Sequence, residues 1–126
     1  MIGMLFFLLY GCRSNLDQVI ENSQPTIEII SQQDPNIFGD GYTFEFVASV
    51  QDKNHSYQEL QVAWFSNDEI ACDWQLLDPD GQTRCQIRMR EEYEWISVKV
   101  VDPFQDIGVD SIPILVHPTF TPEVLM

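Results

Sequence analysis

The sequence predicts an all-β sandwich of about seven strands over residues 25–117. Short runs of β-branched and aromatic residues recur between clusters of Gly, Pro, Asp and Asn, at the spacing of an all-β domain. Several of these runs alternate apolar with polar side chains, the period-2 pattern of a strand with one dry and one wet face. No segment after Pro25 calls for a long helix. At 126 residues, 44% hydrophobic and 12% aromatic, the chain is sized for one domain with a full core.

The first strand is expected from Thr26 to Ser31. Gly39-Asp40-Gly41 then offers positions tolerant of positive φ ahead of a second strand, Tyr42 to Gln51. That strand sets Tyr42, Phe44, Phe46, Ala48 and Val50 against Thr43, Glu45, Val47, Ser49 and Gln51. The third, Leu60 to Ser66, sends Leu60, Val62 and Trp64 inward. A fourth runs from Glu69 to Gln75, and the tight-turn sequence Asp78-Pro79-Asp80-Gly81 leads into a fifth, Thr83 to Arg90. The sixth, Glu94 to Asp102, buries Ile96, Val98 and Val100 and closes at Asp102-Pro103. The last, Val109 to His117, offers Ile112, Ile114 and Val116. Pro113 removes a ladder donor from it, so it should lie at an edge or carry a bulge.

The stretches PTIEIISQQDP, GYTFEFVASVQD, LQVAWFSND and WISVKVVDPFQDIGVDSIPILV resemble bacterial extracellular domains of the immunoglobulin-like and PKD (polycystic kidney disease) type. The resemblance runs from Pro25 to Val116. It implies an immunoglobulin-like sandwich in which Trp64 is the core tryptophan of the third strand. Asn67-Asp68-Glu69 stands where such domains carry a glycine-aspartate-glycine turn. Cys72 and Cys85 flank the DPDG turn. A bridge between them should lock the fourth and fifth strands into a hairpin or pin their loop, unlike the inter-sheet bridge of antibody domains.

Residues 1–11, MIGMLFFLLYG, form an uncharged apolar run that ends in a small residue before Cys12. This is the shape of a secretory signal peptide, and it is far short of the roughly 20 apolar residues that span a bilayer. Leu9-Tyr10-Gly11-Cys12 resembles the bacterial lipobox, which implies lipidation of Cys12 and a membrane anchor. With Cys12 assigned to lipid, the three cysteines leave Cys72 and Cys85 as one disulfide, which an oxidising envelope permits. Residues 12–24 are polar and read as a flexible tether; residues 118–126, with Pro118 and Pro122, read as an extended tail. Arg13 stands where inner-membrane lipoproteins commonly carry aspartate, so the resemblance implies the outer membrane.

Twenty acidic against six basic residues give a net charge of −14, which repels phosphate backbones and argues against nucleic acid as a partner. His55 and His117 flank no evident ligand cluster, and no nucleophile stands beside a base, so neither an enzyme nor a resident cofactor is expected. Asp78 and Asp80 are the closest cue to a calcium site, against the simpler reading that they shape their turn. Trp74, Tyr93 and Trp95 could form a carbohydrate platform, against ordinary packing. Arg84, Arg88 and Arg90 make a basic stripe expected to pair across strands with carboxylates. The preferred reading is a lipid-anchored structural or adhesive module that contacts an envelope protein. A carbohydrate- or calcium-binding surface module is the second.

Overall fold

The computed structural model describes residues 22–32 and 35–118. The signal peptide, Cys12 and all but the end of the tether, with nearly all of the tail, lie outside the described residues. The described chain forms nine strands: β1 (Thr26–Ile29), β2 (Ile37–Gly39), β3 (Thr43–Gln51), β4 (Gln61–Ser66), β5 (Glu69–Leu76), β6 (Gln82–Arg88), β7 (Trp95–Val101), β8 (Ile107–Pro113) and β9 (Leu115–His117). A single 3-10 turn, Tyr57–Glu59, precedes β4. No helix among the described residues is long and apolar enough to cross a membrane.

The strands assemble into a three-stranded sheet, β1-β3-β6, a four-stranded sheet, β5-β4-β7-β8, and a short parallel pair, β2-β9. Every long pairing is antiparallel, from Thr43↔Arg88 in β3-β6 to Val101↔Ile107 in β7-β8. The alternation read from the sequence decides which face is dry. Phe46, Ala48 and Val50 from one sheet meet Val62, Trp64, Ile96, Val98 and Val100 from the other, each at most 1% exposed. Trp64 also carries a polar link between the layers: its Nε1–H donates to Thr83 Oγ1 at 3.0 Å, and both residues are buried.

Four features depart from the sequence expectation. Ile37–Gly39 is a strand, because Phe38 packs on Phe44 and Phe46 while the backbone pairs in parallel with β9. The expected last strand divides in two. Pro113 ends the edge strand β8, and two residues later the chain pairs with β2 instead. Tyr42 lies at the sandwich end with 54% exposure rather than in the core.

The fourth concerns the disulfide. Cys72 and Cys85 are bonded, with Cα atoms 6.1 Å apart, but they do not close a hairpin. The DPDG turn carries the chain from one layer to the other, so β5 edges the four-stranded sheet and β6 the three-stranded one. The bridge therefore staples two sheets along one side of the sandwich. The opposite side is closed by polar contacts between β1 and β8. Asp110 Oδ2 accepts the Ile29 N–H at 2.7 Å, and Gln24 Nε2 donates to the Ile107 carbonyl. Gly108 permits that approach, since a Cβ there would stand 2.4 Å from the Pro25 carbonyl oxygen.

Candidate functional site

The outer face of the four-stranded sheet is built by the residues in antiphase to the core. On β4 these are Gln61, Ala63 and Phe65; on β7 they are Trp95, Ser97, Lys99 and Val101. Register then aligns Val101 with Ile107, Lys99 with Val109 and Trp95 with Pro113 on β8. Across the other edge, Phe65 pairs with Ile70 and Gln61 with Leu76. A bulge in β5 opposite Trp64 keeps Cys72 turned inward while Trp74, two residues before Leu76, turns outward.

This surface is apolar and open to solvent. Ile70, Trp74, Leu76, Trp95, Ile107 and Val109 are each 41–55% exposed. Four strands about 4.8 Å apart and seven residues rising about 3.3 Å each give a face of about 20 by 23 Å, comparable with the largest apolar patches of monomeric proteins, which are often functional. Lys99 is its one charged side chain among the paired residues, and its Nζ lies 5.1 Å from the centre of the Phe65 ring. Acidic residues flank it: Glu59, Asp68, Glu69 and Glu94 are exposed at or beside the ends of these strands, and Asp73 is exposed midway along the edge strand β5.

The expected aromatic platform is only partly assembled. Trp74 and Trp95 share the face, but two strand spacings and four residues put them about 16 Å apart. Tyr93 instead packs against the core. Asp78 and Asp80 both turn to one guanidinium: Asp78 Oδ2 accepts from Arg84 Nη1, and Asp80 Oδ2 lies 3.7 Å from Arg84 Nη2. Arg90 contacts Glu92 at 3.2 Å. Arg84 and Arg90 are thus paired locally, with carboxylates of adjoining turns, rather than across strands.

His55 does meet ligand-type side chains, contrary to the sequence reading. Its Nδ1 stands 3.3 Å from Asp52 Oδ2 and 4.0 Å from Asp102 Oδ2. The spacing Asp52-x-x-His55 is a faint signal, whereas Asp102 joins them only through the fold. Asp102 organises the β7–β8 turn by accepting the Phe104 and Asp106 N–H groups on Oδ1. Burial raises its carboxyl pKa. The hydrogen bonds from Asn22, Asp106 and Phe104 and the nearby His55 outweigh that and hold it below the ordinary value.

No protein-family model and no curated protein matches this chain. Solved structures do. The titin M4 domain is 14% identical over 77% of this chain and 99% of its own, with a TM-score of 0.54. A conjugative transposon lipoprotein from Bacteroides eggerthii DSM 20697 is 18% identical over 72% and 96%, with a TM-score of 0.53. A superoxide reductase (neelaredoxin) from Ignicoccus hospitalis reaches 0.51 at 11% identity over 80% and 86%. At these identities the likeness is one of fold, and the fold is an immunoglobulin-like β-sandwich.

Proposed function

We propose that this chain is a lipid-anchored protein-interaction module of the cell envelope, and that the outer face of the β5-β4-β7-β8 sheet is its docking surface. The observation that carries the reading is the contrast on one molecule. A chain with twenty acidic residues leaves six large apolar side chains exposed on one sheet face, with Lys99 as the charge among its paired residues and carboxylates beside them. Leaving that much apolar area in water is unfavourable unless something covers it for part of the time. The margin selects the occupant: a protein whose own apolar patch is rimmed by basic residues. An anionic bilayer is disfavoured by the same carboxylates. The anchor rests on the lipobox-like Leu9-Tyr10-Gly11-Cys12, which leads to an envelope location and, with Arg13, to the outer membrane.

A paired-variant experiment tests the face. Val109→Arg sets a second cation beside Lys99, on the edge strand of the apolar surface, without touching the core and should weaken binding of the envelope partner at least tenfold, while the melting temperature moves by no more than about 2 °C. Val47→Arg, on the outside of the opposite sheet, should leave binding intact. Binding should also weaken as salt is raised, because the margin contributes charge complementarity. Equal binding by wild type and Val109→Arg would remove this face from consideration.

A further inference from the structure

At one end of the sandwich the β3–β4 loop meets the β7–β8 turn around a group of ionisable side chains that the docking face does not use. Asp52 and Asp102 have no side-chain exposure, and His55 keeps 9%. One ligand atom from each, His55 Nδ1 and a carboxylate oxygen from either aspartate, lies within 4.8 Å of the others. Carboxylates removed from water need a compensating charge. Among the described residues no lysine or arginine pairs with Asp52, Asp102 or the neighbouring Asp106, so His55 alone faces them.

Asn22 marks the same place independently. Its Nδ2 donates to Asp102 Oδ2 at 2.8 Å and to Asp106 Oδ2 at 2.6 Å. Its Oδ1, the other polar atom of that amide, is buried without a hydrogen-bond partner, the one such side-chain atom among the described residues. A buried acceptor with no donor is unfavourable, whereas beside a cation it becomes a ligand. We propose that Asp52, His55 and Asp102 bind a divalent transition metal of the zinc type, with Asp106 as an adjoining donor and Asn22 Oδ1 as a second once its amide rotates to turn the oxygen, in place of Nδ2, toward the carboxylates.

The donor set selects the class. Imidazole with carboxylates suits zinc and its first-row neighbours, while calcium prefers six to eight oxygens. Zinc bonds of about 2.0–2.1 Å in a tetrahedron set ligand atoms about 3.3 Å apart. Asp52 Oδ2 and His55 Nδ1 already have that 3.3 Å spacing, and Asp102 Oδ2, at 4.0 Å from the imidazole, has to close by about 0.7 Å. The ion would gather the β3–β4 loop, the β7–β8 turn and the segment entering β1. Ser23 N–H is already bound to Asn54 Oδ1 in the same place. It would fix how the sandwich stands on the chain that precedes it.

The test uses full-chain protein extracted from membranes, stripped with a chelator and titrated with Zn2+ by calorimetry, with Co2+ as a spectroscopic probe of the ligand field. The expected result is one Zn2+ per chain, a higher melting temperature with metal, and visible Co2+ bands of a nitrogen- and oxygen-ligated site. H55Q should abolish the bands, and D106N should weaken Zn2+ at least about tenfold. H117Q, which alters the other histidine, should bind as wild type. D106N keeps the test decisive should H55Q fail to fold, because Asp106 is half-buried. Three results would overturn the proposal: no saturable one-to-one Zn2+ binding, wild-type binding by D106N, or saturable binding of Ca2+ in place of Zn2+.

Discussion

Trp64→Ala should destabilise the domain by about 3–5 kcal/mol, a large part of the 5–15 kcal/mol that holds a typical domain folded. Two losses combine. The indole has no exposure and fills the space between the layers, 6.2 Å from the Phe46 ring, so alanine leaves a cavity whose walls cannot fully collapse. The Thr83 hydroxyl, 3% exposed, loses the donor it now receives from Nε1. Trp64→Phe separates the two terms. It keeps most of the apolar volume and removes the N–H, so it should cost about 1–2 kcal/mol. Chemical denaturation of the three proteins checks both numbers. A cost below about 1 kcal/mol for alanine would mean that Trp64 is not the centre of the core.

Removing the disulfide has the second large effect. Cys72 and Cys85 are 13 residues apart, and closing a loop of that size stabilises by about 3 kcal/mol in the chain-entropy account. The bridge should matter at least that much here, because β5 and β6 edge different sheets and no backbone ladder joins them. The other side of the sandwich retains the Asp110–Ile29 contact and the Pro25–Gly108 approach. Cys72→Ala with Cys85→Ala should therefore lower the melting temperature by roughly 12–20 °C. Reductant should do the same to the native protein and nothing to the double variant. Trp74 and Leu76 lie on β5, so loosening this edge should also weaken binding through the proposed face.

Much of this architecture was legible in the residues because burial and period coincide in antiparallel strands. Phe46-Ala48-Val50, Val62-Trp64 and Ile96-Val98-Val100 alternate cleanly, and each set lies in the core. The misses have physical reasons. Ile37–Gly39 is too short to show a period and is a strand only because β9 returns beside it. Cys72 and Cys85 look like a hairpin clip in sequence. A tight turn leads equally well to a neighbour in the same sheet or to the facing one, and composition does not distinguish them. The exposed apolar face is half visible in the sequence: the antiphase of Trp95 to Ile96 allows it to face outward or to pack on a neighbouring strand, and the bulge that turns Trp74 to the same side cannot be read from β5 alone. Asp52, His55 and Asp102 were invisible as a group, since two loops distant in the chain bring them together.

If one sheet face, and not the sandwich as a whole, meets the partner, photo-crosslinking in cells will show it, with a photoreactive side chain placed singly at Trp74, Val109 or Ser111 on that face and at Thr43, Val47 or Gln86 on the opposite sheet. The expected result is one adduct of constant mass from the first three positions, lost from Trp74 and Ser111 when Val109→Arg is added to the same chain, and none from the other three. Adducts from Thr43, Val47 or Gln86 with none from the apolar face would contradict it.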